Sequence, residues 1–201
     1  KINDLLLSYE IIYCFISLGV FGVIWFVAPM IAQDWITSKS VSAESIETTI
    51  RLFGLALALQ LPAGLYIGAL MGLQLQVKAN IVTAAWGAIR GIGSILVLWI
   101  FEPSVELFAG WQVIANVVYF VIARASIWKY LTKNSEQRTP KFSLSAVIET
   151  WRYSLGMMGM AIITMVTTQS GVIIVSKILD LESIGFYSLG VSLSMLPILI
   201  A

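Results

Sequence analysis

Arg90 is the residue with the clearest capacity for chemistry, because it is a cation near the middle of the apolar run 81–101. Insertion scales put the cost of a midspan arginine in lipid at roughly 2.5–3.5 kcal/mol, so such a position marks a functional site by default. Its helical face carries small or weakly polar neighbours, namely Thr83, Gly87, Gly91 and Ser94. No carboxylate lies at a matching depth in another apolar run. We predict that Arg90 coordinates an anion in a hydrated cavity; a structural pair with an acid in a further part of the protein is the alternative.

Three uncharged polar residues and a second arginine are further candidates for binding. Gln60 lies in the second apolar run, and Gln112 and Asn116 are one helical turn apart in the fourth. Their amides can hydrogen-bond the hydroxyl groups of a sugar, or they can tie helices together, which is the commoner role in membranes. Arg51 lies at the mouth of the second run and is also a cavity candidate. Its side chain, like that of Arg124, is equally able to reach headgroup phosphates.

The residue types exclude most catalytic chemistry. The sequence has no histidine, and its single cysteine, Cys14, lies inside the first apolar run. The usual metal ligand and general base are therefore missing, and no disulfide framework can form. We find no nucleophile with an adjacent base, no pair of carboxylates within one run and no phosphate-binding loop. We predict a protein that is not an enzyme and that uses no cofactor or metal, with H+ or Na+ as the candidate coupling ion.

The elements that position these residues are apolar runs long enough to cross a membrane. Apolar residues make up 59% of the chain and charged residues 11%, whereas soluble domains carry about 25% charged residues. A helix that spans a bilayer core of about 30 Å needs about 20 residues, and backbone in lipid must bond to itself. The predicted fold is therefore all-α, a polytopic transmembrane helix bundle with five complete spans and a truncated sixth. These spans are 11–32, 52–73, 81–101, 107–128, 153–175 and 184 onward.

Charges in the polar breaks predict the orientation of the bundle. Lysine and arginine concentrate in segments 1–10, 74–80 and 129–152, whereas acidic residues dominate the breaks on the other side. Positively charged loops face the cytoplasm, so we place these three segments there. Segment 143–152 has an apolar stripe typical of an amphipathic helix on the membrane surface. The net charge of +1 gives no reason to expect nucleic acid as a partner.

The remaining breaks are expected to be a mixed loop and two turns. Segment 33–50 is the loop, in which Ser42 begins a periodic stretch that suits a surface helix. Segments 102–106 and 180–183 are expected to be turns. Because the last apolar run meets the end of the sequence, we expect the chain to be an internal piece of a longer polytopic protein.

Small residues and one proline indicate how the spans pack and bend. Glycine recurs at every fourth position of the second and third spans, at Gly64, Gly68, Gly72, Gly87 and Gly91. Such spacing lets helix backbones pack closely in lipid. Pro62 has no backbone N–H to donate, so it predicts a kink or break of the second span near residues 58–61.

Two segments resemble a known transporter family. Residues 51–80 read RLFGLALALQLPAGLYIGALMGLQLQVKAN, and residues 167–190 read TTQSGVIIVSKILDLESIGFYSLG. The matching residues are Arg51, Gln60, Pro62, Gly72, Leu73, Gln74, Asn80, Ser176, Lys177, Gly185, Phe186 and Tyr187. In order and spacing they resemble the polysaccharide transporter (O-antigen flippase-like) family of the multidrug/oligosaccharidyl-lipid/polysaccharide exporter superfamily. The resemblance covers nearly the whole chain and rests on the combination of motifs.

That resemblance implies an architecture of about 12–14 helices in two similar bundles around a central cavity. Residues 1–128 then form the later part of the first bundle, with four spans. Residues 129–152 form a cytoplasmic connector with an amphipathic helix, and residues 153–201 form the first two spans of the second bundle. Relatives often carry an aspartate where this chain has Gly171, so ion coupling at that position does not carry over.

The resemblance also implies a function. The family moves undecaprenyl-pyrophosphate-linked oligosaccharides, such as O-antigen, capsule or exopolysaccharide repeat units, between leaflets of the bacterial inner membrane by alternating access. Arg90 suits the anionic pyrophosphate of such a glycolipid. The implied partners are the lipid bilayer, the lipid-linked oligosaccharide and polysaccharide assembly proteins.

Three other functions compete with this interpretation. A cation-coupled small-molecule or multidrug exporter of the same superfamily usually needs an acid within the membrane. An intramembrane polysaccharide-processing enzyme should show a large external loop or clusters of buried His, Asp or Arg. A purely structural membrane subunit has little reason to keep a cation at midplane, and Arg90 argues against it.

Overall fold

The computed structural model describes residues 2–35, 41–134, 140–178 and 181–200, and these residues are almost entirely helical. No β-strand occurs among them, so the all-α fold predicted from the sequence is confirmed for this part of the chain. Helix α1 passes directly into one turn of π-helix at Ile31–Trp35. The six α-helices are α1 (Ile2–Met30), α2 (Ala43–Gly72), α3 (Gln76–Ile100), α4 (Val105–Asn134), α5 (Leu144–Ile178) and α6 (Leu181–Ile200).

Four of these helices are long and apolar enough to cross a membrane. They are the segments Ile2–Gln33, Ala43–Gly72, Gln76–Ile100 and Val105–Lys133, and they contain the first four predicted spans to within one residue. The chain is therefore a multi-pass membrane protein. The fifth predicted span lies within α5, which has 35 residues, and the sixth overlaps α6, which has 20. That α5 and α6 cross the membrane, and that the helices divide between two bundles, stay predictions.

The helices extend well into the segments expected to be polar breaks. The surface helix expected near Ser42 is the beginning of α2, which is continuous from Ala43 to Gly72, and Ser42 is its N-cap. Likewise, residues 144–152 of the amphipathic segment belong to α5, and α4 continues to Asn134 inside the predicted connector. Segments 2–10, 76–80, 105–106 and 181–183 are helical as well. Hydropathy marks where a helix leaves the hydrocarbon, whereas the helix itself ends where its backbone is capped.

The sharp turn between α2 and α3 contains the one non-glycine residue with a positive φ angle in the described ranges. Gln74 has φ of 61°. Its backbone N–H donates to Met71 O at 2.9 Å, and Leu75 N–H donates to Leu70 O at 2.9 Å. These bonds satisfy carbonyl groups at the end of α2, as a left-handed helix terminus does.

We expect Gln74→Gly to raise the free energy of unfolding by about 0.5–1 kcal/mol, because glycine reaches this conformation without the steric penalty of a β-carbon. Thermal unfolding of the detergent-solubilised protein measures the change. Asn80→Gly is the control: Asn80 is exposed inside α3, so a glycine there should lower the free energy of unfolding by about 0.3 kcal/mol. If both variants lose stability, the turn does not have the left-handed geometry.

The main hydrophobic core lies toward one end of the bundle. It joins the beginning of α1 and α3 to the ends of α2 and α4, which means that consecutive helices are antiparallel, whereas α2 and α4 are parallel. Tyr66, Leu70 and Ile127 are its largest fully buried apolar side chains. Alanines that are completely buried on α2, α3 and α4 allow these helices to approach closely. Helix α2 packs mainly against α4 and α1, and α3 packs mainly against α4.

The glycine stripes do not form this bundle. A β-carbon added at Gly64, Gly68, Gly72, Gly87 or Gly91 would have nothing within 4 Å. Both stripes therefore face outward from the described helices, and their packing against another helix stays a prediction. The close approaches occur instead at Gly54, where an added β-carbon would lie 2.5 Å from Ile24 Cγ2, and at Gly93, where it would overlap the Trp111 indole.

Pro62 lies in the buried face of α2, and the helix passes through it without ending. The predicted break at residues 58–61 is therefore wrong, while a kink stays a prediction. A proline within a membrane helix is tolerated because packing and local adjustment of the backbone satisfy the freed carbonyl group.

Candidate functional site

The candidate site is a closed hydrogen-bonded cycle between the middle of α3 and the first half of α4. Arg90 Nε donates to Gln112 Oε1 at 2.6 Å, and Gln112 Nε2 donates to Ser94 Oγ at 3.0 Å. Ser94 lies one turn beyond Arg90, and its hydroxyl donates to Arg90 O at 2.6 Å. The cycle therefore connects the arginine to both helices and sets the direction of its side chain.

The donors and acceptors in this cycle leave one orientation for the Gln112 amide. A guanidinium group only donates, so the amide oxygen must face Arg90 and the amide nitrogen must face Ser94. Gln112 is 2% exposed and Ser94 is 6% exposed. Because both side chains are buried and their bonds to each other are satisfied, they form a rigid support for the arginine.

Aromatic side chains hold the two helices together beside the cycle. Trp86 stacks on Tyr119 with a centroid distance of 4.5 Å, and the guanidinium carbon of Arg90 lies 5.4 Å from the Trp86 ring centroid. On the other side, Trp111 Nε1 donates to Ile89 O at 3.1 Å. Cation–π contact adds an uncharged partner for Arg90 without removing its charge.

Arg90 itself is exposed, in contrast to the residues that support it. Within the described ranges it forms no ion pair; the ion pairs found there join Arg51 to Glu47 and Arg124 to Glu10. The amide of Gln112 orients the guanidinium but does not neutralise it. The geometry therefore presents a full positive charge near the middle of a membrane-length helix, where an anion can approach it.

Asn116 belongs to the support as well, not to the exposed surface. It is 3% exposed, and its Nδ2 donates to Gln112 O at 2.8 Å, one turn earlier in the same helix. Its Oδ1 is buried and accepts no hydrogen bond from the described residues. Of the two roles open to these residues, joining helices is the one that Gln112 fulfils, because it bonds Arg90 and Ser94 of α3. The hydrogen bond of Asn116 stays within α4.

The remaining candidates lie apart from this cycle. Gln60 is half-buried on α2 and takes part in no hydrogen bond of the described residues. Arg51 forms an ion pair with Glu47 at 2.6 Å, and its guanidinium carbon lies 4.4 Å from the Trp25 ring centroid. The charge of Arg51 is thus compensated within its own helix, and the structure brings only Arg90, Gln112 and Asn116 together.

Sequence reasoning missed a second charged cluster at the other end of α4. Glu10 Oε1 accepts from Arg124 Nε at 2.8 Å, and Glu10 Oε2 accepts from Trp128 Nε1 at 3.1 Å. Glu10 appeared to belong to a polar flank because the apolar run begins at the next residue. Helix α1 instead starts at Ile2, so Glu10 is on the third turn and faces α4.

Comparison with known proteins identifies the family. The model of the polysaccharide biosynthesis protein family matches residues 6–201. No curated protein and no solved structure matches the chain. The family match covers all six helices, including the two segments whose motifs resemble polysaccharide transporters. The chain therefore belongs to the polysaccharide biosynthesis protein family, the family of O-antigen flippase-like membrane transporters.

Proposed function

We propose that this protein moves an undecaprenyl-pyrophosphate-linked oligosaccharide across the bacterial inner membrane by alternating access, and that it is not an enzyme. Arg90 binds the pyrophosphate of this substrate. The observation that carries the proposal is an exposed midspan guanidinium that is oriented by an amide and has no carboxylate partner among the described residues.

The energetics of the site favour an anionic substrate. An arginine at this depth is costly unless it meets water, a polar group or a counter-ion, and a pyrophosphate supplies the missing negative charge. Guanidinium groups bind phosphate oxygens through paired N–H donors. Arg90 uses Nε for Gln112, which leaves its terminal amino groups to face the ligand.

The family match supports a polysaccharide-related membrane transporter. The positive charge of the site favours an anionic substrate over a cationic one. A cation exporter requires an acid in the pathway, whereas the exposed charge of this site is positive. The lipid bilayer and the lipid-linked oligosaccharide are thus the proposed partners, with polysaccharide assembly proteins as further candidates.

The test compares wild type with Arg90→Ala and Arg90→Lys in cells that depend on this protein for export. The readout is the amount of lipid-linked oligosaccharide in the outer leaflet at matched protein levels. Because a hydrogen bond to a charged group contributes about 1.5–3 kcal/mol, we expect Arg90→Ala to reduce export about ten- to hundredfold. Arg90→Lys keeps the charge and should retain part of the activity.

Lys129→Ala is the matched control, because Lys129 is an exposed cation near the end of α4. Its replacement should leave export unchanged. Normal export by both Arg90 variants would refute the assignment of the site. Equal losses in Arg90→Ala and Lys129→Ala would mean that export responds to total charge and not to the midspan position.

A further inference from the structure

We propose that α1 holds the beginning of α5 in a fixed polar joint, which stays closed while the rest of α5 moves during transport. The existence of this joint does not depend on the proposed function, whereas its persistence during transport does. The joint consists of Asp4, Ser8 and Tyr9 on α1 and of Lys141, Ser143 and Thr150 at or just before the start of α5.

Side chains of α1 bind two backbone groups that immediately precede α5. The N–H of Lys141 donates to Asp4 Oδ1 at 2.8 Å, and the N–H of Ser143 donates to Ser8 Oγ at 2.9 Å. Backbone N–H groups need a partner, and a carboxylate near the beginning of a helix is stabilised by the helix dipole. Because α5 starts at the next residue, Leu144, α1 determines the point at which α5 begins.

The α1 side of the joint is firmly anchored in the bundle of α1–α4. Ser8 is completely buried, and its hydroxyl donates to Asp4 O at 2.7 Å while it accepts from Ser143. Leu6, between these two residues, is 6% exposed and belongs to the main hydrophobic core. The first turns of α1 therefore cannot follow a movement of α5 without disrupting that core.

A third contact sets the direction in which α5 leaves the joint. Tyr9 OH lies 2.7 Å from Thr150 Oγ1, which is nearly two turns inside α5. The Thr150 hydroxyl donates to Val147 O at 3.2 Å, so the Tyr9 hydroxyl is the donor to Thr150. With Asp4 and Ser8 this bond fixes α5 at more than one point along its first turns.

Farther along, α5 has little that ties it to the other helices. It packs mainly against α1 and α6, and residues 160–170 are all exposed. The joint lies just before the apolar runs 11–32 and 153–175, at the predicted cytoplasmic surface. A movement of α5 relative to α1–α4 can therefore occur about the joint without breaking packing elsewhere in the part of the chain that the structure describes.

Amide hydrogen exchange tests the joint without transport. Mass spectrometry of short peptides from residues 140–144 measures the rate in the detergent-solubilised protein. A hydrogen bond to a charged group is lost in Asp4→Ala, so we expect the Lys141 amide to exchange about tenfold faster. Asp4→Asn keeps an acceptor and should retain most of the protection.

Glu149→Ala is the matched control, because it removes an exposed acid within the first turns of α5. Exchange at Lys141 and Ser143 should be the same as in wild type. Unprotected amides in wild type, or equal rates in Asp4→Ala and Glu149→Ala, would overturn the joint.

Cross-linking tests whether the joint stays closed during transport. Tyr9→Cys/Thr150→Cys is made in a Cys14→Ala background, because Cys14 is exposed, and a short bifunctional thiol reagent connects the two positions. We expect the cross-linked protein to export lipid-linked oligosaccharide within about twofold of the untreated variant, since a fixed joint need not open. Tyr9→Cys alone, treated with the same reagent, is the control for chemical modification.

Two results of this experiment would overturn the proposal. Loss of export in the cross-linked pair but not in the treated single variant would show that the joint must open. Failure to cross-link would show that positions 9 and 150 are not adjacent. Absence of export in wild type would refute the proposed function instead, and the exchange rates would still support or overturn the joint.

Discussion

Replacement of Gln112 by glutamate is expected to reduce export as strongly as removal of Arg90. The new carboxylate occupies the position of the amide whose oxygen lies 2.6 Å from Arg90 Nε. An acid at this distance forms an ion pair with the arginine and cancels the charge that would bind the substrate. By the same reasoning as for the loss of Arg90, we expect export to fall about ten- to hundredfold. The measurement is lipid-linked oligosaccharide in the outer leaflet at matched protein levels.

Gln112→Leu is the informative comparison. Leucine has a similar size but leaves Arg90 Nε and Ser94 Oγ without their partner, so the arginine keeps its charge and loses its orientation. We expect an intermediate loss of export, because the guanidinium still attracts an anion but is no longer positioned. Full export by Gln112→Glu would mean that substrate binding does not require a net charge at this site.

Gly93→Ala is expected to lower the free energy of unfolding by about 1–3 kcal/mol, which is typical of an overpacked contact. An added β-carbon overlaps the Trp111 indole. The indole cannot move aside easily, because its Nε1 donates to Ile89 O in the adjacent turn of α3. The strain must therefore separate α3 from α4. Thermal unfolding of the detergent-solubilised protein measures the loss.

Gly91→Ala is the matched control for this prediction. It changes the same helix two residues earlier, at a position with nothing within 4 Å of an added β-carbon. Alanine favours helix, so this variant should be as stable as wild type or more stable by up to about 1 kcal/mol. Equal effects of the two substitutions would show that α3 and α4 do not meet at Gly93.

The helices could be predicted from the sequence because hydropathy reports transfer into lipid directly. Each of the first four apolar runs lies inside one helix to within one residue. Their ends could not be predicted in the same way. Ser42 and the amphipathic segment 143–152 lie outside the apolar runs, and yet they are at the start of helices that continue into apolar sequence. The sequence also could not predict that Gly64 and Gly87 face outward. Small residues permit close packing, but they do not specify which helix, if any, packs against them.

The candidate site was predictable in its principal residue but not in its geometry. The energetic cost of a midspan charge identifies Arg90 from the sequence. Nothing in the sequence indicates that Arg90 contacts Gln112, because the two residues lie on different helices. That contact depends on the register between two antiparallel helices, which the close packing of Gly93 on Trp111 helps to determine. The pair of Glu10 and Arg124 was missed for a similar reason: residues far apart in sequence meet only when the bundle is assembled.

Helix α5 is much longer than a bilayer core is thick. With 35 residues it is about 52 Å long, whereas a bilayer core is about 30 Å thick. Tyr9 on α1 contacts Thr150 near its start through a hydroxyl–hydroxyl hydrogen bond of 2.7 Å. From the Tyr9–Thr150 contact the axis of α5 extends about 42 Å to Ile178. A tilt of α5 by about 10° about this contact therefore displaces the far end of the helix by about 7 Å. If α5 crosses the membrane as its apolar run 153–175 predicts, a small rotation at the predicted cytoplasmic surface would become a large movement at the opposite face.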